Sequence, residues 1–202
     1  MNQARPKVRR SRALGIPLTP KCVRYFERRP FPPGQHGRSR RTQSDYKVRL
    51  LEKQRLKAQY DLREGQLRRA FDRAVRRPGK TGEELLTDLE TRLDAIVLRA
   101  GFARTIYQAR QTVVHRHVTV NGRRLDRPSA RLSPGDVVAI AERSRGRTPF
   151  LLAAAGAHAP QRPAPYLDVN LANLTARLER LPVRAEIPVV CDEQLIVEYY
   201  SR

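Results

Sequence analysis

EELLTDLETRLDAIVLRAGFARTIYQARQTVVHRHVTVNGRRLDRPSARLSPGDVVAIAER, residues 83–143, decides the reading of this chain. It opens on a helical pattern: Leu85, Leu86, Leu89, Leu93, Ile96 and Val97 recur at steps of three and four, so they share one face, and that face is core. Thr81 and Glu84 have the spacing of a capping box, in which hydroxyl and carboxylate satisfy N–H groups that the first turn leaves free. Gly101 stands where a left-handed residue ends the helix.

A second helix starts with another such pair, Thr105 and Gln108. At about 100° per residue, Ile106, Ala109 and Val113 fall on one side, and Arg104, Gln108, Gln111 and His115 fall on the other. One side packs and the other faces outward. Val118-Thr119-Val120 then meets Asn121-Gly122, a strong hairpin signal because a type I′ turn needs positive φ at both central residues. Pro134-Gly135-Asp136 makes a second turn, and Val137 to Ala141 reads as the strand that completes a small sheet.

Within this stretch Arg92-Leu93-Asp94, Arg99-Ala100-Gly101-Phe102-Ala103, Ala109-Arg110-Gln111, His115-Arg116-His117, Val120-Asn121-Gly122 and Pro134-Gly135-Asp136 stand in this order. At these gaps they resemble the S-four RNA-binding domain, whose first-helix end, second helix and hairpin dock on structured RNA. The resemblance implies two helices packed on a small antiparallel sheet, with its core signature at 91–143.

Outside the module, charge is the strongest bulk feature. The net charge is +21, of which residues 1–44 carry +11, residues 45–80 +7, residues 81–143 +2 and residues 144–202 +1. Such a field attracts polyanions. Tyr25, Phe26, Phe31 and Tyr46 interleave the basic residues and offer stacking surfaces for bases. Residues 1–44 are proline-rich and lack a helical or alternating pattern, which predicts an extended segment that orders mainly on its partner. Inside it, Arg29-Pro30-Phe31-Pro32-Pro33-Gly34-Gln35-His36-Gly37 is a rigid, turn-rich insert. It closely resembles an element of the bacterial small ribosomal subunit protein four family.

From Ser44 the pattern becomes helical. A first helix runs from Asp45 to about Gln59, with a break near Asp61. A second keeps Leu67, Ala70, Phe71, Ala74 and Val75 at helical spacing, while Arg63, Arg68, Arg69, Arg73, Arg76 and Arg77 fill much of its remaining surface. Pro78-Gly79-Lys80 forms a boundary. Past Arg143, Ser144 to Phe150 reads as a loop, Leu151 to His158 as helical and Gln161 to Pro165 as a connector. Leu167 to Val169 and Ile187 to Val190 read as added strands. Glu193 to Ser201 resembles the family's C-terminus, a short helix that packs back on the N-terminal helices.

The expected architecture is therefore α+β. Residues 1–44 form a basic segment, and residues 45–80 a helical domain closed by the tail at 191–202. The S-four domain takes residues 81–190.

Several function classes find little support. No apolar run is long enough to cross a bilayer and no secretory signal is present, so a cytosolic protein is expected. Cys22 and Cys191 have neither metal-ligand nor redox spacing. Many family members hold zinc on four N-terminal cysteines; with Cys22 alone in that region, no zinc or other cofactor is expected. The P-loop pattern does not occur. Pseudouridine synthases use a triplet similar to Arg92-Leu93-Asp94, but here it falls inside the periodic helix and no separate catalytic domain remains.

The resemblance, end to end, implies a structural, non-enzymatic protein of the small ribosomal subunit that binds 16S rRNA directly. It also implies early assembly of the subunit body, contact with small-subunit protein five and an influence on decoding accuracy. Messenger RNA stays open as a partner, since some members repress their own messenger. A stand-alone S-four RNA binder in ribosome rescue or regulation is the alternative, and an RNA-modifying enzyme the third reading.

The candidate rRNA-binding residues are Arg28, Arg29, Gln35, His36, Arg38 and Arg40 in the first segment, and Arg68, Arg69 and Arg73 in the helical domain. In the module they are Arg92, Arg99, Arg104, Thr105, Gln108, Arg110, Gln111, His115, His117 and Asn121. Arginines would hold phosphates bidentately, while the helix stripe reads RNA shape and 2′-hydroxyls.

Overall fold

A computed structural model describes residues 6–39, 44–159 and 164–201. Its elements are, in chain order, α1 (Lys7–Leu14), α2 (Pro20–Arg28), α3 (Asp45–Gln59), α4 (Glu64–Val75), α5 (Thr81–Glu90), α6 (Leu93–Arg99) and α7 (Ile106–Val114). There follow β1 (Val118–Val120), β2 (Arg123–Arg124), β3 (Val137–Ile140), α8 (Glu142–Arg145), α9 (Thr148–Ala154), β4 (Leu167–Asn170), β5 (Thr175–Leu178) and α10 (Glu193–Tyr200). The strands form one antiparallel sheet in the order β2-β1-β3-β5-β4, so the fold is α+β.

The chain forms two compact units, Met1–Leu67 with Val189–Arg202, and Arg68–Pro188. The division falls inside α4, ahead of the Pro78-Gly79-Lys80 loop where composition places a boundary. The reason is local: Arg73 on the second half of α4 holds Asp88 of α5 at 2.8 Å, which ties that half to the second unit.

In the first unit the expected extended N-terminal segment is corrected, because two helices form there. α1 ends on Gly15 at φ 70°, and its last carbonyl, Leu14 O, accepts from Arg55 Nε at 2.7 Å. Buried Ser11 accepts from the backbone N–H of Leu18. Leu14, Ile16 and Ala58 make a small core with Leu18 and Leu51 packed on it. So few apolar residues leave no period to read; side chain–backbone hydrogen bonds supply much of the order. In α2, Pro20 occupies the first turn, where the missing N–H costs nothing.

α3 has Ser44 as N-cap, and the chain breaks before α4 with Asp61 at φ 48°. α10 packs along α3. Glu198 pairs with Arg49 at 2.6 Å, Glu52 accepts from the Asp192 N–H at 3.0 Å, and Lys53 lies 4.3 Å from the Tyr199 ring centre. Tyr200 is buried and its hydroxyl donates to Glu64 at 2.8 Å. The expected strand Ile187–Val190 does not form. The N–H and C=O of Val190 both bond the Gln59 amide at 3.0 Å, so a side chain takes the groups a ladder would need.

In the second unit the continuous helix expected over 85–97 is two helices, α5 and α6. Arg92 is extended at φ −66°, ψ 143° and bridges Arg131 in antiparallel fashion. The N–H groups of Leu93 and Asp94 bond the carbonyls of Ala130 and Pro128, and the Leu132 N–H bonds Thr91 O. A segment distant in sequence thus inserts its own hydrogen bonds where the helix would have continued. The capping box at Thr81 is also absent: Lys80 is the N-cap and Thr81 already lies in the helix. Gly101 ends α6 at φ 76°, and a Cβ there would come within 3.1 Å of Ala159 Cα.

The hairpin forms as expected, with Asn121 at φ 48° and Gly122 at φ 78°. The β-face core joins Leu93, Ile96, Phe102, Ala109, Val113, Val118, Val138, Ile140, Phe150 and Tyr166. Ser144 to Phe150 is not a loop, since it holds the second half of α8 and the start of α9. β5 was not visible in the sequence, and it fills the sheet position between β3 and β4.

Candidate nucleic-acid interface

Of the expected stripe, Gln108 and Gln111 lie on α7, Arg104 just ahead of its N-cap and His115 at its C-cap. Thr105 caps the helix, accepting from the Gln108 N–H at 3.3 Å, and the Gln108 side-chain carbonyl reaches back to the Arg104 N–H at 2.9 Å. This reciprocal pair fixes the entry of the chain and the posture of Gln108. Ile106, Ala109 and Val113 are buried, while Arg104, Gln111 and His115 are exposed. After α7, Arg116 turns the chain at φ 59° and pairs with Asp126.

Asn121 is exposed but internally committed. Its amide N donates to Asp136 at 2.8 Å and its carbonyl accepts from the Val137 N–H at 2.9 Å, so it braces the hairpin against the second turn. What the hairpin offers outward is Arg123 and Arg124, both exposed on β2. Sequence reasoning missed them. The signal was present, as two arginines directly follow Asn-Gly.

The turn insert of the first unit is pinned from within. The Arg12 and Arg38 guanidiniums lie 5.0 and 4.8 Å from the Phe31 ring centre, and Arg12 Nε donates to the carbonyls of Arg29 and Phe31. A Cβ on Gly37 would lie 2.0 Å from Pro32 O, so only glycine closes this turn. Gln35, His36, Arg28, Arg29 and Arg38 are exposed around it. Arg40 lies outside the described residues.

Other basic residues of the expected set point inward. Arg92 is 2% exposed and pairs bidentately with Asp94 at 2.9 and 2.6 Å, so as a phosphate contact it is corrected: it is a buried brace. Arg99 is bonded to Glu90, which also accepts from the buried Tyr166 hydroxyl at 2.7 Å. Burial, with the Glu90 charge, pushes the Tyr166 phenol up. Arg73 and Arg131 clamp Asp88. Burial alone would raise the Asp88 carboxyl, but these two guanidiniums win and hold it below its ordinary value. Arg110 Nη1 is 3.9 Å from Asp94. Arg68 and Arg69 are exposed on α4, with Arg68 paired to Asp72 one turn on.

His117 is half-buried; its Nδ1 lies 2.9 Å from Ser144 Oγ and its ring meets Phe150 edge-on at 5.6 Å. Burial first, then the charges of Arg147, His115 and Arg143, push its pKa down. Among the described residues, no three His, Cys, Asp or Glu side chains lie together to hold a metal ion, and no helix is long and apolar enough to cross a membrane. Asp94 has no exposed side-chain surface and is engaged by Arg92, so it presents no acid or base to a substrate.

Two family models match the chain: the ribosomal protein S4/S9 N-terminal domain over residues 2–90 and the S4 domain over residues 91–138. Three relatives each bear the name small ribosomal subunit protein uS4. That of Streptomyces griseus is 62% identical over 202 residues, covering 100% of this chain and 99% of the relative. That of Streptomyces avermitilis is 63% identical with the same coverage, and that of Beutenbergia cavernae is 63% identical, covering 99% of this chain and 98% of the relative. Likeness at this level over both domains and nearly the whole of each relative means that this chain belongs to the small ribosomal subunit protein uS4 family, a family of ribosomal structural proteins and not of enzymes.

Proposed function

We propose that this protein binds 16S rRNA directly as a primary assembly protein of the small subunit, and acts by positioning RNA without chemistry. The observation that carries this reading is the α7 stripe: Arg104, Gln108, Gln111 and His115 stand on the face opposite a buried apolar side, with Arg123 and Arg124 on the hairpin of the same unit. Exposed arginines supply phosphate contacts that set register, and the amides and imidazole supply contacts to bases and 2′-hydroxyls. The pinned insert around Phe31 is a second contact region in the first unit.

The same reading includes nucleation of the subunit body, contact with small-subunit protein five, an effect on decoding accuracy and residence in the cytoplasmic ribosome without a cofactor. It includes a helical domain closed by the C-terminal helix beside an S4 domain, and regulation of its own messenger RNA as a secondary role. Family resemblance supports these points.

The experiment is equilibrium binding of the full chain to a 16S rRNA fragment holding the multi-helix junction, over a salt series, against an unrelated structured RNA of equal length. Preference for the junction at physiological salt is expected. Equal binding to both, collapsing together as salt rises, would overturn the reading and favour generic attraction by charge.

A further inference from the structure

The α7 stripe is one wall of a groove, and the other wall comes from α9 and the turn before it. The groove is lined by Gln108, Gln111, His115, His117, Arg147 and Phe150, and encloses about 270 Å³. Its chemistry is uneven in a telling way. No carboxylate lines it, and its one permanent charge is Arg147. Among the described residues, the side chains of Gln111, His115 and Arg147 have no hydrogen-bond or ion-pair partner. The Gln108 carbonyl is spent on Arg104, which leaves that amide as a donor. Phe150 is buried beneath, and His117 is set against it by Ser144. His117 stays largely neutral at pH 7, because its pKa lies below the usual imidazole value.

A plain phosphate site would converge several cations or backbone N–H groups on one point. Here one guanidinium is joined by two primary amides and an aromatic floor, which suits a planar heterocycle with a phosphate attached. RNA offers that object wherever a base is turned out of its stack, its edge open to amides and its face to rings.

We infer that this groove holds one unstacked nucleotide of the bound RNA, its base against His117 with Phe150 packed behind that ring, its edge on Gln108 and Gln111, and its phosphate on Arg147. This rests on the RNA-binding reading above. It adds Arg147, which lies outside the S4-domain match at 91–138, to the binding surface.

Two measurements on the full chain test it. In the first, the four ribonucleoside monophosphates and inorganic phosphate are titrated separately while NMR follows the Gln108 and Gln111 side-chain amides and the two imidazoles. At least one nucleotide is expected to move these signals at millimolar concentration, and inorganic phosphate to leave the amides unmoved. In the second, Gln111→Leu and Arg147→Gln are titrated with the junction RNA. Both residues are exposed, so folding is expected to survive, and circular dichroism checks it. Gln111→Leu is expected to lose about tenfold in affinity at unchanged salt slope, whereas Arg147→Gln loses a similar factor with the slope reduced by about one contact. No response to any nucleotide, a response reproduced by inorganic phosphate, or wild-type RNA affinity in Gln111→Leu would overturn the inference. Should the wild-type chain show no preference for the junction, the RNA-binding reading fails by itself, and the nucleotide titration still decides the groove.

Discussion

Replacing Asp88 by Asn tests whether the inward-facing arginines are structural. The carboxylate has no exposed surface and receives four guanidinium N–H bonds, from Arg73 at 3.4 and 2.8 Å and from Arg131 at 2.7 and 2.8 Å. Asparagine keeps the shape, but it removes the charge and turns one acceptor into an amide that faces other donors. Removing one partner of a fully buried pair costs about 3–5 kcal/mol. The side chains of Arg73 and Arg131 are 38% and 33% exposed, so water takes up part of the freed charge, and about 2–3 kcal/mol is the expected loss.

For a chain of this size that corresponds to a fall in melting temperature of about 5–10 °C. Two compact units make a single global transition an unsafe reporter. Amide exchange at Leu93 and Leu132 is the sharper assay, because their N–H groups bond Ala130 O and Thr91 O in the bridge that Arg131 anchors. The pH dependence has a definite sign. The folded pKa of Asp88 lies below its unfolded value, so its stabilisation is complete above about pH 4 and is lost as pH falls through the folded pKa. The gap between wild type and Asp88→Asn should therefore close in acid. A loss under about 0.5 kcal/mol, or a gap that persists unchanged to the acid limit of folding, would refute the clamp as a source of stability.

Gly37→Ala puts a methyl 2.0 Å from Pro32 O, so the insert must open; junction affinity should fall at least about tenfold while α10 stays folded, and unchanged binding would remove the insert from the interface. Arg104→Gln should weaken junction binding and lower the log–log salt slope by about one contact, whereas Arg110→Gln should chiefly lower thermal stability through Asp94; the two are separated by running both assays on each variant. In the first unit, burial opposes but Lys57, Lys53 and Tyr200 hold Glu64 down at about 2. Glu64→Gln should cost up to about 1 kcal/mol near neutral pH, with the difference disappearing as pH falls from about 4 to 2; a difference that persists below pH 2 would exclude this carboxylate as its source.

What the sequence discloses and what it hides divide along one physical line. The hairpin was legible because Asn121 and Gly122 accept a positive φ that few residues tolerate, and Gly101 for the same reason. The α7 stripe was legible because period and cap agree within ten residues. The break at Thr91 and Arg92 was not, since its cause is the backbone of residues 128–132, which no local pattern announces.

The arginines show the same limit more sharply. Arg92 and Arg104 are equivalent as letters in a basic chain, yet one is buried on Asp94 and the other stands exposed. Charge counting treats both as available to phosphates. The second unit's three wholly buried carboxylates, Asp88, Glu90 and Asp94, decide otherwise, because each fixes a guanidinium in place and removes it from the pool that RNA can use. The field that attracts RNA is therefore weaker in this unit than its arginine count implies. Its recognition must lean on exposed residues such as Gln111, Arg123, Arg124 and Arg147 rather than on the conspicuous Arg-Leu-Asp triplet.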